Sequence, residues 1–255
     1  MILLEGGNAI PESNPVKQAD VAGVVASAKK ALPKSLLVNI QTDIGSAGYK
    51  AESGDIDLMV EAQDLIQLFK TSGEKDPTAS AKKALANYFQ KKNIQTKING
   101  RNVSIGVPYE NGLAQVDVMV IHDAHIVAPF HQHGTRGMYG DPDFKGSDIF
   151  LLISSIAKHL NLKFDAFGAK LIDRKTGDVV ARTRDEVAKV LLNPKAIGED
   201  LNSVKSIMRI LKLDPEGIAK LKQAREDVAK GLLTLHETSL VGSPVWMREM
   251  LSRLV

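Results

Sequence analysis

The sequence predicts an α+β fold: a mixed β-sheet flanked by helices, followed by a smaller, mostly helical part that contains a β-hairpin. Three observations lead there. Segments with a period of 3.6 interleave with segments of period two through the first half of the chain. A stretch rich in His, Gly, Pro and Asp at 124–143 interrupts that order, and mainly helical patterns follow it. The 255 residues are 44% hydrophobic, which is enough to bury a core of ordinary size.

Residues 1–15, with Gly6, Gly7, Pro11 and Pro15, read as an irregular lead-in. Small and apolar residues recur at helical spacing over 18–32, and Pro33 stops that helix before a β-rich run at 36–40. The run 55–60 alternates acidic and apolar residues, as a strand does when one face is buried and the other presents carboxylates. A short helix is expected over 65–69, then a helix through 81–90 with Thr78 as its N-cap. Asn99-Gly100 between 94–98 and 101–107 is a hairpin signal, and a turn at 108–112 leads to a strand over 113–121.

These elements make a first domain over 16–123, a junction loop over 124–143, and a C-terminal subdomain over 144–255. In that last part Ser147 can cap a helix reaching residue 160. A hairpin is expected from 169–172 and 179–181, Thr183 and Glu186 have capping-box spacing, and Pro215 and Pro244 stand at first-turn positions. No internal repeat interrupts this order.

Composition narrows the chemistry. The chain has no cysteine, which excludes disulfides, thiolate metal sites and cysteine nucleophiles, so any metal must be held by oxygen or imidazole. No run approaches the roughly 20 apolar residues that span a bilayer, and residues 1–14 do not have the pattern of a secretory signal, so a cytoplasmic protein without membrane partners is expected. The net charge is only +3, yet residues 145–230 carry 17 Lys and Arg against 12 Asp and Glu, a surplus of 5 that could meet phosphates.

The chemistry concentrates in Ser53-Gly54-Asp55-Ile56-Asp57. Two acids two apart on a strand project to one face, roughly 7 Å apart along it. Asp117, between Val116 and Val118, supplies a third acid in a β-run whose apolar neighbours point the other way. Carboxylates so placed suit hard divalent cations, which neutralise charge on phosphate oxygens. Upstream, the turn Gly45-Ser46 lets backbone come close to a polyphosphate, with a hydroxyl from Ser46 and a charge from Lys50.

Gly45-Ser46, the segment 50–57 and Val116-Asp117-Val118-Met119-Val120 together resemble the DNA polymerase beta superfamily of nucleotidyltransferases. The segment Phe144-Lys145-Gly146-Ser147-Asp148-Ile149-Phe150 is similar to the opening of the nucleotide-contacting subdomain of family X DNA polymerases. The resemblance covers residues 36–194. It implies a nucleotidyltransferase-type sheet. It also implies two Mg2+ ions, with Mn2+ as a substitute, held by the catalytic residues Asp55, Asp57 and Asp117. Gly45, Ser46, Ser53 and Gly54 would then contact the triphosphate, ATP among the candidates, while Phe144, Gly146 and Asp148 would touch the incoming nucleotide. The implied reaction transfers a nucleoside monophosphate from a nucleoside triphosphate to a hydroxyl, a DNA or RNA 3′ end being the expected acceptor, and releases pyrophosphate.

The chain departs from the repair polymerases in having too few residues before Gly45 for their accessory domains, and in Asp143, where a bulky residue usually precedes the Phe. It is therefore closer to a compact member of the kind associated with bacteriophage genomes. A reading of a different class is a non-catalytic nucleotide- or nucleic-acid-binding module, such as a phage structural or scaffold component. His122, His125, His131 and His133 match no zinc spacing and read as a polar loop. Arg136 and Lys145 are candidates for meeting triphosphate charge, and Trp246 for packing in a C-terminal helix.

Overall fold

In the computed structural model, residues 9–42, 44–45, 47–48, 51–131, 146–168, 170–213 and 215–229 are described. The chain divides into two compact units, Met1–Gln132 and His133–Val255.

The first unit is built on a four-stranded sheet. Along the chain come β1 (Val16–Lys17), α1 (Val21–Ala31), β2 (Glu52–Ser53), β3 (Ile56–Glu61), α2 (Ala62–Phe69), α3 (Pro77–Gln90), β4 (Thr96–Asn99), β5 (Asn102–Tyr109), β6 (Gly112–Ile121) and α4 (Ala124–His131). The order across the sheet is β3-β6-β5-β4, with β3 parallel to β6 and the other pairs antiparallel. This is the mixed sheet the α+β class requires. β1 and β2 form a separate antiparallel pair.

Register explains which residues build the core. Ile56, Leu58 and Val60 on β3 lie beside Val116, Val118 and Val120 on β6, and Val116 and Val118 lie beside Ile105 and Val103 on β5. Because side chains alternate between faces, all of these share one side of the sheet. They pack with Val24 and Ala28 of α1, Leu65 of α2, and Leu85 and Phe89 of α3 in one buried cluster. The opposite face receives the residues between them: Asp57, Met59 and Glu61, then Gln115, Asp117 and Met119, then Asn102, Ser104 and Gly106.

Several local expectations change. Residues 34–37 form a short 3-10 helix instead of a strand, and only Gln41 bridges to the sheet, at Met59. The N-cap of α3 is Asp76, whose carboxylate accepts from Ala79 N at 2.9 Å, with Pro77 at the first helical position. Thr78 instead meets His122 Nε2 at 2.9 Å. Pro108 stays within β5 opposite Leu113, so the turn is confined to Glu110 and Asn111. The expected junction loop at 124 is a helix as far as His131. Glu61 organises this corner: one oxygen accepts from Gln63 N at the start of α2, and the other from Ala124 N at the start of α4. One carboxylate thus satisfies orphan donors of two helices.

The second unit holds α5 (Gly146–His159), a three-stranded antiparallel sheet of β7 (Leu162–Asp165), β8 (Lys170–Asp173) and β9 (Val179–Ala181), then α6 (Arg184–Leu191), α7 (Val204–Leu211) and α8 (Pro215–Ala229). The hairpin strand β7 was not foreseen; its four residues alternate buried and exposed or half-buried. At α6 the capping box is complete, with Thr183 Oγ1 accepting from Glu186 N at 3.2 Å and Glu186 accepting from Thr183 N at 3.0 Å. Those backbone donors, from Arg182 and Thr183, hold the Glu186 carboxyl below its ordinary range. Thr183→Ala is expected to cost about 1 kcal/mol in the unfolding of this unit, measured by urea titration. Trp246 and Pro244 lie outside the described residues. No described helix is long and apolar enough to cross a membrane.

Candidate active site

The polar face of the first sheet carries the site. Asp57 and Asp117 are direct partners across the parallel pair β3–β6, and Ser104 is the partner of Asp117 on β5. The three therefore form one row on one face. Asp55 stands in the bend just before β3, half-buried, and not within the strand as expected. It is nonetheless close enough to act on its neighbour. The Asp57 carboxyl is pushed up from 3.8 to about 7, first by burial, then by the charge of Asp55, then by that of Asp117. The charges of Asp55 and Asp117 therefore both act against ionisation of Asp57.

Asp117 is only 8% exposed, and its oxygens are held. Gln115 Nε2 donates to Oδ1 at 2.9 Å and Asn102 Nδ2 donates to Oδ2 at 3.0 Å. Gln115 is itself fixed from the other end: its Oε1 accepts from Ala9 N at 2.8 Å and Ile10 N at 3.0 Å. Residues 9 and 10, within the stretch read as an irregular lead-in, therefore lie against the site's floor. Ile10 is buried there. Asn102, Ser104 and Gln115 were missed from the sequence, although the alternation Asn102-Val103-Ser104-Ile105 was the signal that could have found them.

The Gly45 turn stands directly over Asp57. Gly45 has φ +72, and a Cβ built on it would overlap Asp57 Oδ2. Its N–H donates to His131 O at 3.0 Å, so the turn is tied to the end of α4. That N–H is thus engaged within the protein and not aimed at a ligand. What Gly45 contributes is clearance above a carboxylate. Ser53, in β2, is buried, and its hydroxyl makes no hydrogen bond with a described residue; the same holds for Ser104. Buried hydroxyls without partners are costly unless something completes them. Gly54 lies half-buried in the bend between Ser53 and Asp55.

Ser46, Lys50, Phe144, Arg136, His133 and Lys145 lie outside the described residues. Gly146 begins α5 and Asp148 lies in its first turn, both in the second unit. His131 is the last residue of α4. His122 Nε2 is hydrogen-bonded to Thr78.

Among the described residues no group of three carboxylates or imidazoles forms a ready-made metal cluster. The chemistry of the donors nevertheless fits a divalent cation: hard oxygens from Asp55, Asp57 and Asp117, the first and last acting against the charge of Asp57, with the Ser104 hydroxyl in the same row. The amide bonds to Asp117 occupy one lone-pair site on each oxygen and leave the others open.

No protein family matches the chain, and no curated protein matches it. Among solved structures it is similar to the polymerase beta of Leishmania infantum in a ternary P/T complex, at 14% identity and a TM-score of 0.42, covering 74% of this chain and 77% of that chain.

Proposed function

We propose that the chain is a divalent-metal-dependent nucleotidyltransferase, moving a nucleoside monophosphate from a triphosphate to a hydroxyl, with a nucleic-acid 3′ end as acceptor and pyrophosphate released. One observation carries this reading. Asp57 and Asp117 are paired in register on the polar face with Asp55 beside them, and burial, reinforced by the charges of Asp55 and Asp117, raises the Asp57 carboxyl to about 7. Such a floor is stabilised by cations and is poorly stabilised without them.

Asp55, Asp57 and Asp117 would hold Mg2+, which supplies positive charge against the triphosphate. The chain's own residues do the rest. Asp117, oriented by Gln115 and Asn102, faces an acceptor hydroxyl as a proton acceptor. Ser53 offers its unspent hydroxyl proton to a phosphate oxygen. Gly45 keeps the space above Asp57 open. Positioning and electrostatics are what such a site contributes.

Titration calorimetry with Mg2+ and each nucleoside triphosphate, followed by a pyrophosphate-release assay over DNA, RNA and protein hydroxyl acceptors, tests the reading. Release that requires Mg2+ and an acceptor is expected. Binding without release across every acceptor would convert the proposal into the non-catalytic binding module. Absence of both would remove it.

A further inference from the structure

A second surface of the first unit is marked by what it lacks. No Asp or Glu occurs between Asp20 and Asp43, nor between Asp76 and Glu110, while the two stretches carry Lys29, Lys30, Lys34, Lys82, Lys83, Lys91, Lys92, Lys97 and Arg101. With 30 acids in 255 residues, an even distribution would put about six in that much chain. The gap is not a matter of overall composition.

The fold brings α1, α3 and the β4–β5 turn of these stretches together, whereas Lys97, the register partner of Ser104, lies on the carboxylate face. Lys82 Nζ donates to Gly100 O at 2.7 Å, tying the start of α3 to the β4–β5 turn. At the other end Lys92 Nζ donates to Ala31 O at 3.3 Å, tying the end of α3 to the end of α1, and it sits over the Tyr88 ring at 4.2 Å. Lys82 to the end of α3 at Gln90 is about 12 Å of helix, over which one strand of a duplex passes three to four phosphates measured along its axis. α1 and α3 pack on the apolar side of the sheet, away from the carboxylate face.

Helix dipoles explain part of the pattern. Lys29, Lys30, Lys91 and Lys92 stand at helix C-termini, where cations are favoured. Lys34, Lys83 and Lys97 stand elsewhere and are exposed. None of these lysines forms an ion pair with a described residue, whereas in the second unit Arg209 meets Asp200 at 3.6 Å and Lys220 meets Glu216 at 3.2 Å. Cationic charge that no acid among the described residues neutralises can exchange its counterions for phosphates.

We propose that this acid-free lysine track, from the β4–β5 turn along α3 to the end of α1, docks the phosphodiester backbone of a nucleic acid. It does not depend on the carboxylate chemistry, and it is tested with EDTA present so that turnover plays no part. Binding of a labelled 25-base-pair DNA duplex and a 25-nucleotide RNA is followed by fluorescence anisotropy from 50 to 200 mM KCl.

Lys30→Gln/Lys83→Gln/Lys91→Gln, at three exposed positions, is expected to weaken binding at least about tenfold and to reduce the slope of log K against log salt by about 2 to 3. The corresponding Lys→Arg triple should bind as the wild type does. Lys195→Gln/Lys212→Gln/Lys222→Gln in the second unit should change neither quantity. In the wild type, bound nucleic acid should protect Lys83 and Lys91 from acetylation, a readout that needs no variant to fold.

The proposal is overturned if the wild type binds neither nucleic acid, or if Lys83 and Lys91 stay unprotected. An unchanged salt slope in the first triple, or an equal loss in the second-unit triple, also overturns it. So does binding to phosphatidylserine vesicles in place of nucleic acid.

Discussion

Asp57→Asn is expected to abolish turnover while making the metal-free protein more stable above pH 7. The sign follows from linkage. Folding raises the Asp57 carboxyl from 3.8 to about 7, so between those values the native state binds more protons than the unfolded state. Stability contributed by this group is full below about pH 4, falls as pH rises, and is gone above about pH 7. The whole span amounts to at most about 4 kcal/mol. Asn cannot ionise, so the variant's stability curve should lack that decline.

Urea unfolding from pH 4.5 to 8 in EDTA measures the difference between the two proteins. Parallel curves would show that folding does not raise the Asp57 carboxyl. At pH 8, millimolar Mg2+ should restore stability to the wild type and do little for the variant, because a ligand of the native state stabilises only where it binds. Turnover in the pyrophosphate assay should fall about 1,000-fold or more.

Gly45→Ala is the second large effect. A left-handed φ of +72 disfavours any Cβ, and this Cβ would overlap the Asp57 carboxylate. The backbone cost alone is about 1 kcal/mol. Relief of the overlap must shift either Asp57 or the turn, and the turn is fastened to α4 through His131 O. Asp57 therefore moves. Turnover is expected to fall about 100-fold, since displacements near 1 Å have that consequence in positioned sites. Mg2+ affinity by calorimetry should fall in parallel, whereas near-normal affinity and turnover would show that clearance at Gly45 is unimportant.

Much of the site's row was legible in the chain. Asp57 lies on β3 and Asp117 on β6 because each sits among β-branched and aliphatic residues at period two, and that alternation puts both acids on the face opposite the apolar cluster. The α+β class was legible for the same reason, as were the 99–102 hairpin and the Thr183 capping box. The strand expected at 36–40 failed because apolar composition alone does not distinguish a buried 3-10 turn, anchored by Leu36, from a strand. α4 was hidden by His and Pro in its sequence, and its first turn is stabilised by Glu61, a partner 63 residues away.

What the sequence by itself determined is the inventory and its faces: which acids exist, that Asp57 and Asp117 must point away from the core, and that no thiol can take part. Alternation is local, so one strand suffices to reveal it. Only the tertiary structure decided that Asp57 and Asp117 are register partners, that Asp55 stands in a bend, and that Gly45 covers Asp57. It also decided that residues 9 and 10 hold Gln115, and through it Asp117. Those relations join segments up to 106 residues apart, and such contacts are set by how whole elements pack.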